Sequence, residues 1–133
     1  MKLTDEQWRA RLSDEEFRVC REAGTERPFS GDLLHIEEDG KFVCTCCGHL
    51  LFVSDDKFDS GCGWPSFSDE AVPGNIVYHD DHSHGMHRIE ITCQNCDAHS
   101  GHVFDDGPTT TGKRYCVNSV SIKFNDANGS EGL

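Results

Sequence analysis

A chain of 133 residues with 12 basic against 24 acidic side chains and a pI near 4.9 has the length of one domain and buries roughly two-thirds of the surface its unfolded form exposes. The acidic balance argues against a nucleic acid or an anionic membrane as partner, since either demands a cationic face. Charge within the first six residues, and no apolar run approaching about 18 residues, lead us to expect a soluble, unexported, cytoplasmic protein. In that setting the eight cysteines, at 20, 44, 46, 47, 62, 93, 96 and 116, read as metal ligands or redox thiols rather than as a disulfide framework.

From the N-terminus, Thr4-Asp5-Glu6-Gln7 and Ser13-Asp14-Glu15-Glu16 both match the capping-box pattern, which predicts two short helices within residues 1–23, the second ended by Gly24. Trp8, Leu12, Phe17, Val19 and Cys20 form an apolar stripe able to dock on a sheet, with Cys20 a core residue. Residues 25–40 read as a connection in which Asp39-Gly40 favours a tight turn. Beyond it come short alternating runs punctuated by Gly and Pro. Strands are predicted at Lys41–Val43, Leu50–Val53, Ile76–His79, His87–Thr92, His102–Phe104 and Arg114–Phe124. With no helical period after residue 41, the fold class is mainly β and antiparallel, with short N-terminal helices covering the body at 24–124. Residues 125–133 lack apolar pattern and are expected to form a flexible tail.

Two C-x-x-C pairs stand out: Cys44-Thr45-Cys46-Cys47 and Cys93-Gln94-Asn95-Cys96. Each closes a tight turn able to aim two sulfurs at one ion, and four thiolates suit structural Zn2+. The 45 residues from Gly48 to Thr92 place the pairs on two separate hairpins, so the ion would clip distant parts of the chain together. Cys46 is left over and expected to point away. His49 or His99 is the alternative fourth ligand, though four sulfurs at matched spacing make the simpler set. A thioredoxin-like redox pair would need a helix start in a βαβ setting, which the pattern lacks.

In a strand running through Arg114-Tyr115-Cys116-Val117-Asn118, alternation sends Arg114, Cys116 and Asn118 to one face, together with Val120 and Ile122. A cation beside a thiol favours the thiolate, and an amide can bind a polar substrate atom. The alternative is a buried strand cysteine next to a surface arginine. Upstream, Gly61-Cys62-Gly63 gives a thiol glycine-flanked mobility, and Pro65 holds Trp64 extended. Trp64 and Phe67 would serve equally as an apolar plug. His99 and His102, three residues apart after the second pair, are free to act as acids or donors if the thiolates close the metal site. His82, His84 and His87, with Asp80 and Asp81, read as a solvated loop with at most adventitious metal binding.

Four motifs together, the two cysteine pairs, Gly-Cys-Gly-Trp-Pro-Ser-Phe, His-x-Gly-His-Val-Phe-x-Asp-Gly-Pro and Arg-Tyr-Cys-Val-Asn-Ser, make the chain resemble the B-type methionine sulfoxide reductases from about Gly24 to Phe124. The resemblance implies two antiparallel sheets, activity on the R epimer of methionine sulfoxide, free or in oxidised proteins, and thioredoxin as reductant. It implies Cys116 as nucleophile, Cys62 as resolving thiol, and structural zinc on Cys44, Cys47, Cys93 and Cys96. Trp64 and Phe104 would bind substrate, Trp64 receiving its methyl group, while His99, His102, Arg114 and Asn118 line the polar side. His102, taken to begin its strand, is the preferred donor of the pair. Ser100 departs from the family, which usually has Leu there, and would loosen the packing under His99. Against this stand two other classes: a zinc-ribbon binding module with inert Cys62 and Cys116, and a zinc hydrolase, which would need a ligand position left for water.

Overall fold

The computed structural model describes residues 3–27, 31, 33–34, 36, 38–61, 63–82 and 85–126. Both capping boxes form. In helix α1 (Asp5–Arg11) the Thr4 hydroxyl accepts from the Gln7 N–H at 3.2 Å while the Gln7 side chain accepts from the Thr4 N–H at 2.9 Å. Ser13 and Glu16 repeat the exchange at 3.1 and 2.8 Å to open α2 (Asp14–Arg21). Two orphan donors satisfied at each start let helices this short persist. The turn out of α2 is made by Ala23, at φ 55°, and not by Gly24, whose N–H closes onto the Arg18 carbonyl at 2.9 Å. A Cβ on Gly24 would meet that carbonyl at 2.8 Å.

Among the described residues nine strands follow: β1 (Gly40–Cys44), β2 (Leu50–Val53), β3 (Lys57–Phe58), β4 (Ser66–Phe67), β5 (Ile76–Asp81), β6 (Arg88–Cys93), β7 (His99–Phe104), β8 (Arg114–Val117) and β9 (Ile122–Asp126). They make two sheets, ordered β2-β1-β9 and β3-β4-β8-β7-β6-β5, with antiparallel pairing throughout. The expected two-sheet, mainly β architecture is therefore present. Among the described residues no helix is long and apolar enough to cross a membrane.

Four expectations are corrected. The single strand at Arg114–Phe124 is two: the chain leaves β8 at Asn118, makes a 3-10 turn over Ser119–Ser121, and enters the other sheet as β9. Val120 and Ile122 therefore do not extend the face of Cys116. β7 starts at His99, three residues before the expected His102. Asn125 and Asp126, assigned to the tail, are paired with Lys41 and Gly40; the rest of that tail, 127–133, lies outside the described residues. Asp80 and Asp81, read as loop, complete β5, while Ser83 and His84 lie outside the described residues.

The core lies between the sheets. Phe42 and Phe52 of the small sheet meet Phe67 and Tyr115 of the large one, with Phe52 stacked on Phe67 at 4.3 Å between centroids, Phe42 set edge-on to Phe67 at 5.0 Å, and Phe124 backing Phe42 from its own sheet. Phe42, Phe52 and Phe67 are wholly buried, each contributing about 1.5–3 kcal/mol. The helical stripe closes the core, as Trp8, Phe17 and Cys20 are buried in it and Leu12 packs against it. Strand alternation then fixes where chemistry can occur. Because Tyr115 and Val117 point into the core, Arg114 and Cys116 emerge on the outer face of the large sheet.

Candidate active site and four-cysteine cluster

Across that outer face, Ser66, Cys116, His102, Glu90 and His79 are successive partners on β4, β8, β7, β6 and β5. Directly opposed residues share a face, so a hydroxyl, a thiol, an imidazole and a carboxylate form one row. His99 would lie on the far side of an unbroken β7, an odd number of residues from His102. A bulge corrects this: Ile91 pairs with Gly101 and Thr92 with His99, leaving Ser100 over. The two rings consequently meet edge to face, 5.7 Å apart. Gly101 makes the bulge possible, because a Cβ there would stand 2.0 Å from the Cys116 carbonyl oxygen.

Cys116 is half-buried, and its Sγ accepts from Arg114 Nη1 at 3.1 Å with Ser66 Oγ 3.9 Å away. The guanidinium is held from three sides. Asp106 takes Nε at 2.8 Å and Nη2 at 3.1 Å, and the Phe104 ring lies beneath it at 4.4 Å. The Arg114 hydrogen bond holds the Asp106 carboxyl below its usual range. Such a fixed, charge-assisted donor favours a thiolate over a thiol at the accepting sulfur. Phe104, expected to bind substrate, carries Arg114 on its ring.

Each histidine is anchored by a carboxylate that sequence reading did not assign. His99 Nδ1 lies 2.6 Å from Glu90 Oε2, and His102 Nε2 lies 2.8 Å from Asp81 Oδ2, which also accepts from Arg88 at 3.3 Å. His99 is the more buried of the two, so the premise that His102 is the better fixed does not hold. Burial keeps His102 below the ordinary histidine value, outweighing the Asp81 hydrogen bond that pushes the other way. Below about pH 6.5 the unfolded chain then takes up a proton that folded His102 refuses, so stability falls as pH drops from there toward the lowered pKa. We expect the His102 ring to titrate below about 6.5 by NMR. In His102→Gln the urea midpoint should fall less steeply with acid; a ring titrating above 6.5 would contradict the burial argument.

Asn118 is held by backbone groups. It is buried; its Oδ1 accepts from the Glu26 N–H at 3.1 Å and its Nδ2 donates to the Ser100 carbonyl at 3.3 Å. Both ends of the amide serve backbone, so Asn118 ties the Glu26 segment to the bulge at Ser100. On the same segment, Trp64 donates its indole N–H to the Glu26 carbonyl at 3.1 Å and remains half-buried, next to wholly buried Pro65. Gly61 and Gly63 both adopt left-handed φ, at 74° and 92°; Cys62 between them lies outside the described residues.

The four-cysteine cluster is built from two copies of one turn. Cys44 N–H bonds the His49 carbonyl and Gly48 N–H bonds the Cys44 carbonyl, both at 2.8 Å; Cys93 N–H bonds the Ala98 carbonyl at 2.9 Å and Asp97 N–H the Cys93 carbonyl at 2.8 Å. Gly48 and Asp97, at φ 80° and 64°, occupy the same left-handed position in each. One turn joins β1 to β2 and the other β6 to β7, so the cluster bridges the two sheets. The Sγ atoms of Cys44 and Cys96 are 3.6 Å apart and those of Cys47 and Cys93 3.5 Å, with all four within 4.8 Å of one another. A tetrahedral zinc with bonds of about 2.3 Å has sulfur–sulfur edges of about 3.8 Å, so the set fits that ion. His49 and His99 are not part of it. Burial pushes the Cys47 thiol up to about 11, a cost that a cation would remove. Cys46 is left out of the four-sulfur set, and hydrogen bonding to the Cys20 and Cys44 thiols holds its own thiol well below the usual range. The hydrogen bond to Cys46, and then burial, push the Cys20 thiol up, in keeping with a core role. Arg21 ties the helices to this region, donating to the Cys96 carbonyl at 2.8 Å.

A thiol so held, with anchored imidazoles beside it and four other sulfurs gathered in a separate cluster, is an arrangement suited to thiol chemistry on a cysteine-clipped β scaffold. The SelR domain family matches residues 12–126. The chain is 57% identical over 122 residues to the peptide methionine sulfoxide reductase MsrB of Alteromonas mediterranea, covering 92% of this chain and 86% of that one. It is 54% identical over 129 residues to the protein of the same name from Hahella chejuensis, covering 97% and 93%. The chain belongs to the SelR domain family, and the resemblance drawn from the four motifs extends over most of its length.

Proposed function

We propose that the protein reduces methionine-R-sulfoxide, free or within oxidised proteins, to methionine, with Cys116 as nucleophile. The observation that carries this reading is the 3.1 Å contact from a locked Arg114 to the Cys116 sulfur. A sulfoxide sulfur becomes attackable only as its oxygen is protonated or strongly hydrogen-bonded, so the site must pair a thiolate with a donor. His102, directly opposite Cys116, and His99, folded onto the same face by the bulge, supply that donor side. The partly open indole of Trp64 receives the methyl group.

In the reaction the Cys116 thiolate forms a bond to the sulfoxide sulfur while the oxygen takes up a proton. The hydroxyl then passes from the substrate sulfur to the Cys116 sulfur, its old sulfur–oxygen bond breaking as the new one forms; the sulfur–sulfur bond breaks, methionine departs with that electron pair, and Cys116 is left as a sulfenic acid. The Cys62 thiol attacks that sulfur, water leaves, and a Cys62–Cys116 disulfide forms. An external dithiol, thioredoxin by this reading, reopens the disulfide by exchange. Zinc held by Cys44, Cys47, Cys93 and Cys96 is structural; four thiolates leave no coordination position for substrate or water. This sets the chain apart from a zinc hydrolase, and the Arg114–Cys116 pair has no purpose in a binding module.

Assays on the separated epimers with a dithiol reductant test the reading. The R form should be turned over efficiently. In the S form the oxygen would face Trp64, leaving an acceptor unpaired at a cost of about 1–3 kcal/mol, and unassisted proton transfer should cost a further 10² to 10⁴, roughly, in rate. Comparable rates on the two epimers would overturn the pocket.

A further inference from the structure

At the connected end of the β5–β6 hairpin, three side chains outside the catalytic row converge. Asp80 and His82 are two residues apart and share a face, while His87 sits across from His82 just beyond the last pair, Asp81 with Arg88. The imidazoles of His82 and His87 stack at 4.7 Å with 16° between planes, and His87 Nε2 lies 3.1 Å from Asp80 Oδ1. One ligand atom from each of the three lies within 4.8 Å of the other two. Hairpin register has thus gathered two nitrogens and a carboxylate oxygen on one patch.

We propose that Asp80, His82 and His87 form a second metal site, for a borderline divalent transition ion such as Ni2+, Cu2+ or Zn2+, with water completing the coordination. Imidazole nitrogens select such ions over Mg2+ and Ca2+, which require oxygen donors, and the absence of sulfur distinguishes this site from the four-cysteine cluster. An ion would take the place of the proton now shared by His87 and Asp80, with the stacked rings closing slightly around it. A formal charge of -12 draws cations toward the surface. Asp80 and His87 side chains are 70% and 58% exposed, so the ion would exchange freely, unlike one enclosed by the thiolates. Strand alternation points Asp80 away from the face on which Asp81 holds His102. Loading is therefore separable from the catalytic row.

The test uses the zinc-loaded full chain titrated with Ni2+, followed by calorimetry and by paramagnetic broadening of amide signals. One equivalent is expected to bind, with broadening centred on Asp80, His82 and His87. Replacing His82 or His87 by Ala, or Asp80 by Asn, should weaken it by more than about tenfold, the least that loss of an outer-shell partner costs at a metal site. In the Ni2+-free His82→Ala and His87→Ala enzymes, zinc content and sulfoxide turnover should be unchanged. The proposal fails if broadening centres on Cys116, if no Ni2+ binds, or if the variants bind as tightly as the parent chain.

Discussion

Cys116→Ser is expected to release no methionine at all, even in a single turnover with enzyme in excess, whereas Cys62→Ser should release one per chain and then stall with thioredoxin. The first change replaces a polarisable thiolate by a hydroxyl that the Arg114 guanidinium cannot ionise near neutral pH, so no sulfur–sulfur bond can form. The second leaves the attacking atom and its donor at 3.1 Å untouched and removes only the partner on which the sulfenic acid condenses. Rapid-quench measurement of methionine per chain separates the two. Normal steady-state turnover of Cys62→Ser with thioredoxin would show that another thiol or the reductant itself resolves the intermediate. Cys20 makes a poor substitute, being buried and hydrogen-bonded to Cys46.

An effect of similar size is expected at the cluster. Structural zinc binding contributes about 10–16 kcal/mol in small domains, as much as the whole stability of a typical domain, about 5–15 kcal/mol. Cys93→Ser removes one of four ligands at the junction of the two sheets, so we expect insoluble or metal-free chain with loss of the β signal in circular dichroism. Chelation of the parent protein should give the same state. A folded, metal-free and active Cys93→Ser enzyme would falsify the structural role assigned to the ion.

Much of the fold was legible because period and punctuation are local properties. The capping boxes at Thr4 and Ser13 and the alternation in β1, β2, β5 and β6 named their elements within a residue or two. Two-residue strands such as β3 and β4 carry no period, and nothing local reveals that Arg114–Phe124 belongs to two sheets. That break is made by Asn118, whose amide is claimed by Glu26 and Ser100, residues distant in sequence. Cys116 and the two histidines could be singled out from spacing and motif, but their anchors could not. Glu90, Asp81 and Asp106 become partners only through cross-strand register and a bulge, so they look like ordinary surface acids in a chain rich in them. Gly101 was the available clue: a glycine between two histidines suggests a close backbone approach, here to the Cys116 carbonyl.

The matching turns at Cys44–Gly48 and Cys93–Asp97 also order events in time. Each is closed by its own backbone bonds inside one hairpin, and hairpins form in roughly 1–10 μs, so each half of the ligand set can be assembled before any ion arrives. What remains is to bring the halves together across 45 intervening residues, a closure whose length-dependent entropy is about 3 kcal/mol. If the cluster holds zinc as proposed, metal capture falls late on the folding route, and the rate at which newly made chains mature becomes tied to the supply of exchangeable zinc in their surroundings.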